Sequence, residues 1–125
     1  MTYTPSIGDL LVRPKAFGIV KHVGVLVAHN TVLQNTPEKG EHLTTMAEFA
    51  AGAPVTVLPT GAHPSHVMAR ARQILARAKA YNPLARNCEH TATEAVRGVA
   101  KSPQLLFFAA FAVIIALLVI FWPRR

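Results

Sequence analysis

From Leu105 to Trp122 the chain reads LLFFAAFAVIIALLVIFW, eighteen residues without a charge and with no hydrogen-bonding side chain except the indole. As a helix at ~1.5 Å per residue the run spans roughly 27 Å, close to the hydrocarbon thickness of a bilayer. Pro103 and Pro123 bracket it, Trp122 suits the membrane interface, and Arg124-Arg125 close the chain. A buried core helix is the competing reading. The run has no polar face, however, and a chain of 125 residues is too short to surround it. The expected organisation is a domain over 1–103 and a transmembrane anchor over 104–125, embedded through 105–122. The start, Met1-Thr2-Tyr3-Thr4-Pro5, shows neither a basic n-region nor an apolar h-region. The expectation is therefore a single-pass C-terminal anchor with the domain on the cytoplasmic side, although Arg124 and Arg125 blur the charge rule.

The net charge of +7 and an isoelectric point near 10.4 call for an anionic partner. Much of the charge falls in one segment, at Arg70, Arg72, Arg77, Lys79 and Arg86. Aromatic residues are sparse and do not alternate with basic ones, which argues against a stacking platform for nucleic acid. A membrane surface is the better match. One cysteine excludes an internal disulfide framework and is compatible with a reducing compartment.

That cysteine lies in Asn87-Cys88-Glu89-His90. Asn87 is a good N-cap for the helical pattern that follows, so Cys88 falls in a first turn, where the helix dipole favours thiolate. A thiolate with a histidine delivered from elsewhere is the minimal kit for nucleophilic catalysis; a buried inert cysteine is the structural alternative. His90, two residues on, points to another helix face and is expected to cap locally. His29 at a hairpin tip and His42 in a polar loop are expected to be exposed and idle. His63 and His66 lack a third ligand, so no metal site is expected. His22 differs, because it stands mid-strand in an apolar run, where an imidazole needs a partner. It is the expected base for Cys88, with Gln34 fixing its tautomer.

Ile7-Gly8-Asp9-Leu10-Leu11-Val12 reads as a turn and a first strand, broken by Arg13-Pro14-Lys15. Ile19–Val27 is β-branched-rich and long enough for a central strand, and Thr31–Asn35 returns after a loop at 28–30. The loop length matters. Three residues set Gln34 opposite Gly24, one pair along from His22 on the same face; two residues, 29–30, set it opposite Val25, facing away. Residues 37–42 read as connection, and Thr45-Met46-Ala47-Glu48 as a capping box opening a short helix. Pro54–Pro59 holds a further short strand. From Ser65 an amphipathic helix places Val67, Ile74, Leu75 and Ala78 on one face. From Cys88 to Ala100 a second helix groups Cys88, Ala92, Ala95, Val96 and Val99.

Gly8-Asp9-Leu10-Leu11, His22 with its strand and hairpin, Asn87-Cys88-Glu89-His90, Arg97-Gly98-Val99-Ala100-Lys101-Ser102 and the terminal apolar helix together resemble the lecithin:retinol acyltransferase (LRAT)-like proteins. That family includes the HRAS-like suppressor phospholipase A/acyltransferases. The resemblance runs from about Ile7 to the anchor. It implies an α+β, circularly permuted papain-like fold, with a small antiparallel sheet packed on helices. It also implies Cys88 as nucleophile and His22 as general base. The family's third catalytic member, a second histidine, falls on Gln34, whose amide oxygen can still accept an imidazole N–H. Val23 stands where an aromatic often follows the histidine, and Thr91 where the motif usually continues with Phe.

The expected function is a membrane-anchored, cofactor-free phospholipase A/acyltransferase. Its Cys88 takes an acyl group from phospholipid as a thioester and passes it to water, a lysolipid or an amine. A cysteine amidase or peptidase of the same class, or a catalytically inactive membrane interaction protein, are the alternatives.

Overall fold

The computed structural model describes residues 3–15 and 18–123; Met1-Thr2 and Arg124-Arg125 lie outside them. Among the described residues the chain forms β1 (Leu10–Lys15), β2 (Val20–Ala28), β3 (Thr31–Thr36), β4 (Gly40–Thr44), α1 (Met46–Ala50), β5 (Thr56–Leu58), α2 (Pro64–Arg77), α3 (Cys88–Arg97) and α4 (Pro103–Phe121). The fold is α+β. Its strands make one antiparallel sheet in the order β4-β3-β2-β1-β5.

Strand alternation divides the core in two. Val25, Val27 and Leu33 pack with Val67, Ala71 and Ile74 of α2 and Ala95 and Val96 of α3. On the other face Leu11, Leu26 and Val32 pack against Phe49 of α1. Gly24 lies on this second face, and a Cβ there would stand 2.7 Å from Val32 Cγ1 and 2.8 Å from Phe49 Cε2. Only a glycine lets Phe49 settle this close to β2.

The hairpin between β2 and β3 combines the two loop lengths expected from the sequence. Ala28 pairs with Thr31 across a two-residue turn at His29-Asn30, with Asn30 left-handed at φ 47. A bulge between Leu26 and Ala28 then restores the pairings Leu26–Val32 and Val25–Leu33. Gln34 therefore falls on the face of His22, as a three-residue loop would have set it.

Several expectations need correcting. β1 begins at Leu10 and runs through Arg13-Pro14-Lys15 rather than breaking there. β5 pairs only with Leu10–Val12, so β1 is an edge at Pro14, where a residue without N–H is tolerated. Of residues 37–42, taken for connection, the last three open a strand, β4, paired with β3. α2 ends at Arg77 and leaves Ala78 outside; α3 ends at Arg97, with Gly98 left-handed as its C-cap, and Val99 is 54% exposed. The basic segment is no uniform surface either. Arg86 is 5% exposed, pairs with Glu41 and Glu94, and faces a Glu41 that also accepts the Thr91 hydroxyl and the Lys79 N–H. Thr91 serves this network through its hydroxyl.

α4 is long and apolar enough to cross a membrane, and none of it is buried against the domain. Leu105–Trp122 was the expected extent; the helix begins two residues earlier because Ser102 caps it, accepting from Leu105 N–H, and Pro103 stands in the first turn.

Gly24→Ala should cost about 1–3 kcal/mol in unfolding free energy, because neither Val32 nor Phe49 can withdraw without opening the core. Chemical denaturation of the detergent-solubilised protein checks it; an unchanged midpoint would refute the close approach.

Candidate active site

Asn87 ends a short turn in which Asn82 and Arg86 exchange main-chain hydrogen bonds. Its Oδ1 accepts from Glu89 N–H (2.9 Å) and His90 N–H (3.2 Å), while His90 Nδ1 accepts the Asn87 N–H (3.0 Å). This is a capping box with histidine in the third position, so His90 has the local role expected of it. Glu89 turns the other way. Its carboxylate accepts the Ser102 hydroxyl (2.8 Å) and the Gln104 N–H (3.0 Å), and so caps the first turn of α4. Three of the four motif residues thus hold the thiol's helix in place and tie it to α4.

Pairing of β2 with β3 stops at Val25–Leu33, which leaves the first half of β2 open on that side. Gln104 fills part of the gap. Its Oε1 accepts from Lys21 N–H (3.0 Å) and its Nε2 donates to Lys21 O (3.1 Å), as a neighbouring strand would. Cys88 occupies the adjoining position, packed on Val23 and Ala92, with Sγ 4.0 Å from Lys21 O. The thiol is 4% exposed. Burial pushes it up from its ordinary pKa, and the Val23 N–H only partly offsets this. The sequence-based expectation of a resting thiolate at the helix terminus is therefore corrected: desolvation outweighs the dipole.

His22 is 3% exposed and projects on the Phe49 face, its ring stacked on Phe49 at 5.2 Å and 27°. Arg13 donates to Phe49 O (2.6 Å) and lies over the same ring. His22 Nε2 and Gln34 Oε1 are 2.9 Å apart, so the structure brings together the two side chains that the sequence paired only for the longer loop. Burial lowers the His22 pKa to about 4, with a smaller push from Arg13 and an opposing one from the Gln34 bond. The ring is neutral at pH 7. Among the described residues no hydrogen bond joins Cys88 to His22, and the only hydrogen bond of the imidazole is the one to Gln34.

His42, expected to be exposed and idle in a polar loop, is placed differently by the structure. It is half-buried on β4, directly across from Gln34, with Nε2 3.0 Å from Gln34 Nε2 and Nδ1 2.8 Å from Gly40 O. The signal was a histidine in a run whose strand character its glycine and acid concealed. His29 is exposed at the turn; His63 caps α2 through Nδ1, and His63 and His66 rings lie 5.2 Å apart. Among the described residues no three potential metal ligands cluster.

A cleft of about 270 Å³ opens between the sheet and the base of α4; Lys21, Val23 and Glu89, around Cys88, line it, but Cys88 and His22 do not. Leu10, Val12, Val23 and Val96 make its apolar walls, and Lys21 and Arg97 add positive charge. No protein-family model matches the chain, and no curated protein matches it.

Because His22 is held neutral in the fold and titrates near 6.5 when unfolded, the unfolded chain binds more protons between these values. Stability should be full above pH 6.5 and fall by about 3 kcal/mol as pH drops toward 4. Thermal unfolding across that range should show the decline, and His22→Gln should flatten it; equal acid sensitivity in both proteins would contradict the buried neutral imidazole.

Proposed function

We propose that this chain is a membrane-anchored, cysteine-dependent phospholipase A/acyltransferase of the LRAT-like, permuted papain-like kind. The observation that carries the reading is the junction of thiol and membrane-length helix. Both neighbours of the site, Lys21 and Glu89, are hydrogen-bonded to Gln104 in the first turn of α4. With α4 in a bilayer, Cys88 stands at the bilayer surface, where ester carbonyls of glycerophospholipids are concentrated. The apolar cleft suits part of an acyl chain, and its Lys21 and Arg97 suit a phosphate. Arg97 and Lys101 next to α4 favour the cytoplasmic side for the domain.

The chemistry follows from two neutral partners. Substrate binding brings the thiol within reach of His22 Nδ1, a contact of the kind that commonly tightens in the Michaelis complex. The imidazole takes the Sγ proton as sulfur attacks the ester carbonyl. The tetrahedral intermediate collapses, the lysolipid oxygen leaves with the proton from the imidazolium, and an acyl-thioester is left on Cys88. Water, a lysolipid or an amine then surrenders a proton to His22, attacks the thioester and releases the thiol. Gln34 holds the ring from the far nitrogen. An amidase or peptidase would use the same pair, but gains nothing from a site fastened to a membrane-length helix.

Full-length protein mixed with phosphatidylcholine vesicles should gain one acyl mass on Cys88 and release lysophospholipid, both read by mass spectrometry. His22→Ala should abolish the adduct, and Gln34→Ala should only slow its formation. Absence of adduct and lysolipid, with turnover of a peptide or amide substrate instead, would sink the lipid reading.

A further inference from the structure

A row of three polar side chains crosses β2, β3 and β4 on the Phe49 face: His22, Gln34 and His42. Each link has an acceptor and a donor, and one end of the row has no choice. The Gly40 carbonyl, 2.8 Å from His42 Nδ1, can only accept, so His42 Nδ1 carries hydrogen. In the neutral ring Nε2 is then the acceptor. Gln34 must offer it the amide NH₂, at 3.0 Å, which turns Oε1 toward His22. Oε1 can only accept, so His22 Nε2, at 2.9 Å, carries hydrogen. The lone pair of His22 is thereby left on Nδ1.

We propose that His42 is a positioning residue: anchored on Gly40 O, it sets the orientation of the Gln34 amide and so locks His22 in the Nε2–H tautomer, with Nδ1 free to take a proton. An amide alone cannot do this. A primary amide presents a donor on one side and an acceptor on the other, and a half-turn about its last bond exchanges them. Turned the other way, Gln34 would donate to His22 Nε2 and force hydrogen onto Nδ1, the nitrogen required as base. His42 restores the direction that Gln34 by itself lacks. The final step, that Nδ1 acts on the Cys88 thiol, rests on the function proposed above; the tautomer itself does not.

The test uses full-length protein with ¹⁵N-labelled histidine in phosphatidylcholine nanodiscs near neutral pH, with imidazole nitrogens read by long-range ¹H–¹⁵N correlation. Wild type should show His22 protonated at Nε2 and bare at Nδ1. His42→Lys offers donors only, so the Gln34 amide should reverse and His22 should move to the Nδ1–H form. Hydrogen on Nδ1 in wild type, or an unmoved tautomer in folded His42→Lys, would overturn the proposal.

Gln34→Glu supplies the second arm, because a carboxylate accepts from both sides and has no direction to set. In that background His42→Lys should leave the tautomer in place. The rate of Cys88 acylation should then change less than about twofold, against a fall of more than about tenfold with Gln34 present, since a wrong imidazole tautomer costs as much as about 10⁴-fold in a serine triad. Equal loss in both backgrounds would make His42 merely structural and defeat the proposal. If His42→Lys fails to fold with Gln34 present, His42→Leu takes its place: it removes the acceptor without supplying a donor, so His22 should show a mixture of both tautomers, and an unmixed Nε2–H form would overturn the proposal. A wild type with the expected tautomer and no acyl adduct would instead remove the lipid function and leave the role of His42 standing.

Discussion

The main chain of Lys21 is where this molecule is joined. β2 loses its pairing with β3 beyond Val25, and an unpaired strand edge inside a protein must be satisfied by something else. Gln104 satisfies it with both ends of its amide, and Cys88 takes the next place along. One gap in the sheet therefore receives both the thiol and the start of the membrane-length helix. Glu89 secures the arrangement from the other side through Ser102 and the Gln104 N–H. A helix that could have hung from a loose tether is instead fastened at the residues flanking the thiol.

The same gap accounts for the electrostatics. A cysteine lodged against strand main chain is shielded from water, so burial raises its pKa even at a helix N-terminus. The imidazole one residue from Lys21 is buried under Phe49 and lowered in turn. The resting pair is thiol and imidazole, both neutral.

Much of this was legible in the chain. The apolar run, the Asn87 cap and the central strand all follow from local periodicity and turn chemistry. His42 was not legible, because β4 lacks the β-branched, alternating pattern that marks a strand and forms by pairing with β3. Arg86 looked like surface charge and is buried, since only the fold brings Glu41 and Glu94 around it. The bulge at the hairpin was equally hidden: both loop lengths were open, and packing chose a two-residue turn with the register of the longer one.

The sequence by itself determined a membrane-length helix, a capped helix start that presents one cysteine, and a histidine in a central strand. These are properties of short segments, where spacing and residue type decide the outcome. Tertiary structure alone decided that the thiol is protonated, that Gln104 and Glu89 bind the long helix to the site, and that His42 stands behind Gln34. Each of those depends on burial or on groups 8 to 83 residues apart meeting in space. Desolvation and long-range hydrogen bonds exist only once the chain has folded.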